Sequence, residues 1–470
     1  MNRMRRLSRP GTRVRLFPEY ASGYVEPETV SLSLPAGTVG PGPSDGEMHA
    51  VNPLLKTGPY SLPDYLPPYR GRQYASAVPD CYGHFDSIPI DAPQFLPVHL
   101  YGSVRRTLDV WEHYLGRRVR WWHAAFMPQI ELVPVVERWA NAHSGPGFIE
   151  TGMMPDERGR EQLLALNFDI IGHETGHAIL FSEVGVPPPD RMTGPYLAFH
   201  ESFADLMGMI AAMHFPSVNR KLLEQTGGNL YVLNLVNRLG KLSDRTQVRI
   251  ADNMTTMADV AGLHMVRDGN WVDPRAENRN QHALGEPLTG AIFDTLVEIY
   301  QDGLVRRGAI PPDRDARGWT RAEVDQAFAK LHEESARALA RFADAYHGAL
   351  TDARDVTGCA MAHAILTLNP ETLSFERVAA RILEAAAAHG QGHILPALLD
   401  NFLWRGIDPR SFLTIAVKRD PMRRPDRTSR TLRAIDPTAS RSCGCSDPRA
   451  FIFARHLMPH RHRGEEVLPA

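Results

Sequence analysis

Two histidines four residues apart, with a glutamate beside the first, are the residues of this 470-residue chain best suited to chemistry: His173-Glu174-Thr175-Gly176-His177. On a helix, residues four apart lie one turn above each other on the same face. His173 and His177 can therefore offer two imidazole nitrogens to one metal ion at the roughly 2.0–2.1 Å that zinc prefers. Glu174 can reach a water on such an ion without being a ligand itself, which is a hydrolytic zinc site in outline. The plainer alternative is an amphipathic helix with two partly buried histidines, in a chain that holds 20 of them.

A hydrolytic zinc needs a third protein ligand and one open position. Downstream, Glu201 and Asp205 are four apart and share a helix face. One can complete the ligand set while the other hydrogen-bonds the free nitrogen of a ligand histidine. A solvated face could also carry two carboxylates. Here Phe203, Leu206, Met207 and Ile210 make the helix apolar, and unpaired carboxylates there would be costly. Between the two helices, Gly185-Val186-Pro187-Pro188-Pro189-Asp190 can turn the chain back on itself.

With H-E-x-x-H followed on the next helix by Glu201-x-x-x-Asp205, the chain resembles the thermolysin-like gluzincin peptidases. Metzincins fit less well, because Leu180 and Glu183 stand where a glycine and a third histidine are expected. The resemblance implies an α+β, thermolysin-like zincin fold: a small mixed-sheet lobe and a helical C-terminal lobe around a zinc cleft. It implies that His173, His177 and Glu201 hold zinc, that Asp205 orients a ligand histidine, and that Glu174 is the general base. Asn141-Ala142, one strand ahead of the motif, is similar to the family's edge strand that pairs with an extended peptide. His282 stands before an apolar helix in the place of the histidine that stabilises the oxyanion, with Glu277 where the family has the carboxylate that orients it. Tyr196 is a second candidate donor, and Arg238 a candidate for the arginine that contacts substrate carbonyls. Asp169 matches an aspartate that contributes to structural calcium, yet no carboxylate follows among Ile210-Ala211-Ala212-Met213, which argues against calcium. Each of these outlying residues has a plain reading too: a turn, a loop histidine, a surface arginine, an aspartate at a helix N-terminus.

Elements must position these side chains. Tyr101, Val104, Leu108, Trp111 and Tyr114 recur at helical spacing from His99, with Gly116 as C-cap. Val119–Trp122 and Ile130–Val136 have strand character, and a helical stretch is expected through Arg220–Leu223 and again from Leu233 to Leu242. Leu288 to Arg306 reads as one helix. Thr320-Arg321-Ala322-Glu323 opens another that runs to about Ala349, and further helices fall near Ser374–His389 and Ile394–Phe402. Four regions result: a Pro/Gly-rich arm or small strand region at 1–97, a zincin catalytic lobe at 98–213, a helical lobe at 214–415 and an irregular basic tail at 416–470. In that tail Cys443, Cys445, His456, His460 and His462 fit no standard zinc finger, and a polar tail is the favoured reading.

Composition narrows the function. A 43% hydrophobic and 23% charged content is ordinary for a soluble globular chain. A net charge of −2 gives no reason to expect nucleic acid or an anionic membrane as partner. No apolar segment reaches membrane-spanning length, no apolar run follows the basic N-terminus, and four cysteines do not form a disulfide framework. A cytoplasmic location is expected, with non-classical export left open. The expected activity is zinc-dependent hydrolysis of internal bonds in a peptide or protein substrate. Two other readings stay open: a non-catalytic, zinc-stabilised interaction protein, and a zinc hydrolase of non-peptide amides.

Overall fold

The computed structural model describes residues 11–19, 26–61, 64–156, 158–243, 247–261, 267–268, 271–272, 274–312 and 321–417. The arginine- and cysteine-bearing segment from 418 onward and the basic residues before 11 lie outside the described residues. The architecture is α+β, with small sheets toward the N-terminus and helices after them.

Strands β1 (Gly11–Leu16) and β2 (Glu28–Pro35) pair antiparallel and lie on α1 (Phe95–Leu115). Val14 and Leu16 seat on α1 where Gly102 leaves room: a Cβ there would stand 2.9 and 2.8 Å from their methyl carbons. Helix α1 ends at Gly116 with φ 71°, the left-handed stop expected from the sequence. Strand β3 (Met48–Ala50) joins β4 (Ile130–Val133), β5 (Ala142–Gly145) and β6 (Phe148–Thr151) in a four-stranded sheet of order β3-β4-β6-β5. The sheet is mixed: β3, β4 and β6 run parallel, and β5 returns antiparallel at the edge. A short hairpin, β7 (Met153–Pro155) with β8 (Glu161–Leu163), leads into α2 (Phe168–Glu183).

The expected strand at Val119–Trp122 does not form. Its groups bond to other segments instead: Val119 N–H donates to the Glu112 carboxylate, Trp122 N–H to Ser182 Oγ, and the Trp121 indole Nε1 to the Glu47 main-chain carbonyl. After α3 (Gly194–Ala212) and α4 (Pro216–Thr226), the stretch expected to be helical from Leu233 instead makes a hairpin, β9 (Arg238–Lys241) with β10 (Gln247–Ile250). Asn234 and Asn237 bond each other's backbone and hold the turn before it, the local competition by which asparagine draws a chain out of helix.

A two-residue pair, β11 (Arg267–Asp268) and β12 (Trp271–Val272), precedes α5 (Pro274–Arg306). Helix α5 begins well before Leu288 and continues through Pro287, so His282 stands on a helix rather than in a loop before one. Then follow α6 (Arg321–Arg341), α7 (Ala343–Thr367), α8 (Phe375–Ala386) and α9 (Leu395–Leu403). The single helix expected from 320 to about 349 is divided at Phe342, whose φ −125° and ψ 38° break the spiral. One large core runs from Val14 on β1 through α2, α3, α5 and α7 to Phe402 on α9.

Candidate metal centre

Helix α2 starts where Asn167 caps it, its side-chain oxygen accepting from the backbone N–H groups of Asp169 and Ile170. Its partner α3 starts at Thr193, which accepts from Tyr196 N–H, with Pro195 in the first turn. The two helices are unusually close because small residues line their seam. A Cβ on Gly172 would stand 2.9 Å from Gly208 Cα, and one on Gly176 the same distance from Ala204 Cα. Gly176 lies inside the H-E-x-x-H motif itself. That contact brings a carboxylate of α3 within reach of both histidines of α2.

Three donors converge across the seam. His173 Nε2 and His177 Nε2 stand 3.1 Å apart, and Glu201 Oε2 lies 3.6 and 3.5 Å from them. All three residues are buried. Ligand atoms on a tetrahedral zinc, each roughly 2.0–2.1 Å from it, stand ~3.3 Å from one another. The donor set therefore fits a small divalent metal ion in both chemistry and spacing.

Around the donors sits a second layer. Asp205 Oδ1 accepts from His173 Nδ1 at 2.8 Å, which turns Nε2 of that ring toward the centre. Arg249 on β10 grips the same carboxylate with two bonds of 2.6 Å. Burial pushes the Asp205 carboxyl up, but Arg249 and His173 outweigh it and hold it well below the usual carboxylate range. From α5, His282 Nδ1 approaches Glu201 Oε2 at 3.1 Å. One turn along, Glu286 accepts from Thr255 Oγ1 at 2.7 Å; burial raises its carboxyl, against the pull of Thr255, Arg249 and His282.

Other residues singled out in the sequence fall as follows. Glu174, 1% exposed, lines an apolar cleft together with His173, Asp205 and Arg249. Asn141 and Ala142 form part of its wall, and Ala142 opens the edge strand β5. Met154, Leu164, Met209, Leu239 and Val248 supply the apolar lining. Arg238 turns to the hairpin instead, with Nε on Gln247 and Nη2 on the Ser243 carbonyl. Tyr196 is fully buried and donates its hydroxyl to the Gly185 carbonyl at 2.8 Å. Glu277 lies in the first turns of α5, and its side chain is outside the described residues. Asp169 meets the ammonium of Lys241, which also donates to the carbonyls of Leu235 and Arg238.

Sequence reasoning passed over Arg249, Lys241 and the glycine seam. The seam had a signal, since Gly172 and Gly176 are four apart and so share a face. Arg249 had none, because its role depends on a hairpin placed against α3 only in the folded chain.

No protein-family model matches the chain, and no curated protein matches it. Among solved structures, the precursor of protealysin, a metalloproteinase from Serratia proteamaculans, is similar over 62% of this chain and 85% of that one. The identity is 15% and the TM-score 0.33. A functional reading therefore has to stand on the site.

Proposed function

We propose that the protein is a zinc-dependent endopeptidase. The observation that carries this reading is the convergence of His173, His177 and Glu201 at separations of 3.1, 3.5 and 3.6 Å, with Glu174 beside them on the cleft wall. A zinc ion held by those three donors would polarise a carbonyl and lower the pKa of a water. Glu174 takes the proton of the attacking water and passes it to the leaving amine. Asp205 fixes the tautomer of His173, and Arg249 keeps Asp205 ionised for that task. His282 donates an N–H to the oxyanion as charge develops on the carbonyl oxygen, a contribution worth about 2.7–4 kcal/mol when preorganised. The edge strand at Ala142, with Asn141 ahead of it, pairs with an extended peptide and lays the scissile bond over the centre. The substrate is accordingly a peptide or protein in extended form.

Metal content and cleavage of casein or mixed peptides, measured together for the native protein and Glu174→Gln, test this. About one zinc per chain in both is expected, with cleavage by the native protein alone, abolished by chelator and lowered ~10²–10⁴-fold in the variant. Zinc bound without cleavage by the native protein would remove the peptidase reading and leave a binding role or another amide substrate. No bound metal would remove the centre itself.

A further inference from the structure

Lys241 on β9 carries a charge although it is only 6% exposed. Its ammonium meets the carboxylate of Asp169 and donates to the carbonyls of Leu235 at 3.1 Å and Arg238 at 3.3 Å. An ammonium has three donors and no acceptor, and here three acceptors converge on it. The main-chain carbonyl of Lys241 accepts from Asn167 Nδ2 at 2.5 Å, so the residue that caps α2 is tied to β9 as well. Taking a charge out of water is costly, and a methionine would occupy the same place without that cost. Packing alone therefore gives no reason for a lysine.

What the lysine joins supplies the reason. Asp169 and His173 are four apart on α2 and so share a face. The β9–β10 hairpin reaches that face twice. Lys241 grips Asp169 directly. From the neighbouring strand, Arg249 holds Asp205 with two bonds of 2.6 Å, and Asp205 Oδ1 lies 2.8 Å from His173 Nδ1. Lys241 pairs with Gln247 across the hairpin and Leu239 with Arg249, so the two grips sit on one short ladder. The contacts close a ring that leaves α2 at Asp169, passes through Lys241, the hairpin, Arg249 and Asp205, and returns to α2 at His173. Cutting the ring at Lys241 leaves Arg249 on a hairpin that can shift along α2.

We propose that Lys241 is a positioning residue for the metal centre, a built-in cation that fixes the hairpin on α2 and so sets the ring plane of His173. The inference rests on the metal-centre reading above. The groups behind a ligand histidine orient it, and their loss costs about 10–100-fold in metal affinity. Lys241 stands further out: it holds the arm that holds Asp205, and it does so by charge. Lys241 and Asp169 both line the cleft, so a vacancy left by the lysine opens to a small ion from solution.

The test measures zinc affinity of the full chain by competition with a chelating dye, with thermal unfolding alongside to show that each variant is folded during the titration. Lys241→Ala should bind zinc about 10-fold more weakly, the lower end of the range for an outer partner. Propylammonium, which replaces the atoms that the substitution removes, should restore most of that affinity. Tetramethylammonium, with the same charge and no N–H, should restore none, and neither salt should change the native protein. Asp169→Asn keeps the shape of its side chain and loses the charge. It should weaken zinc binding in the same direction, and it carries the test if Lys241→Ala does not fold. Native zinc affinity in either folded variant would overturn the proposal and leave the metal centre intact. So would a loss that propylammonium does not reverse, or that tetramethylammonium reverses equally. A native protein that binds no zinc would remove the metal-centre reading and this one with it.

Discussion

The four-stranded sheet separates two buried polar clusters, and they are built on opposite rules. On the face away from α2, Glu131 and Glu150 lie under Lys56, Tyr60 and Tyr69. Glu150 meets Lys56 Nζ at 2.6 Å, Tyr60 N–H at 2.6 Å and His143 Nε2 at 2.9 Å. Glu131 accepts from the Tyr60 hydroxyl, Tyr69 N–H and His49. Lys56 also lies 3.9 Å from the Tyr60 ring. Each carboxylate oxygen there faces a donor or a cation, so the two acids are neutralised as they stand and hold the N-terminal segment onto the sheet. Across the sheet, His173, His177 and Glu201 turn lone pairs toward one another. Buried groups that neutralise each other hold a fold together; buried Lewis bases that face each other call for a cation from outside. Burial and charge are similar in the two places, and only the direction of the donors distinguishes a scaffold from a site.

The comparison breaks most visibly if one member of each cluster is removed. Lys56→Met leaves Glu150 buried without its cation, and breaking a buried pair in this way costs about 3–5 kcal/mol. Urea unfolding should show that loss, while the surviving native protein still binds one metal per chain. Glu201→Gln should do the reverse: metal binding falls away, and the metal-free protein loses little stability. A Lys56 variant that lost metal in proportion to its stability would show that the two clusters are one unit.

A smaller effect is expected at the seam that assembles the centre. Gly172→Ala puts a Cβ 2.9 Å from Gly208 Cα, a backbone contact that only a shift of α2 against α3 can relieve. Overpacking of this kind costs about 1–3 kcal/mol. Because the same shift moves His173 and His177 away from Glu201, metal affinity should fall along with the unfolding midpoint. Gly116→Ala, at a left-handed helix stop with nothing within 4 Å, should cost stability alone.

How far the sequence reaches follows from the same geometry. That His173, Glu174 and His177 fall on one helix, and Glu201 with Asp205 on the next, was legible because spacing on one helix is a local property. Helix α1 and its Gly116 stop were legible for want of competition. The strand expected at Val119–Trp122 failed because Glu112, Ser182 and Glu47 satisfy that segment from a distance. The β9–β10 hairpin was hidden in a leucine-rich stretch whose asparagines bind backbone, and the early start of α5 was hidden by Pro287. Arg249, not Arg238, reaches the centre, although nothing in the spacing of either told them apart. Convergence between elements is the part that local pattern does not carry.

The finest test of the contrast uses acid. Burial raises the Glu131 carboxyl, but hydrogen bonds from His49, Tyr60 and Tyr69 outweigh it and hold the pKa below the ordinary value of 4.5. A carboxyl depressed in the folded state adds stability that is fully present above its unfolded pKa and is lost as pH falls through its folded pKa. Unfolding midpoints followed from pH 6 to pH 3 should therefore decline below about 4.5, and Glu131→Gln, which keeps an acceptor but no charge, should flatten part of that decline. The metal centre responds to acid by a different route, because its histidines must be deprotonated to bind and their ordinary pKa is about 6.5. Metal should therefore leave at a higher pH than the sheet cluster weakens, and Glu131→Gln should leave the pH of metal release where it was. If that pH moved with the Glu131 substitution, the sheet would be transmitting charge from one face to the other, and the division between scaffold and site would have to be given up.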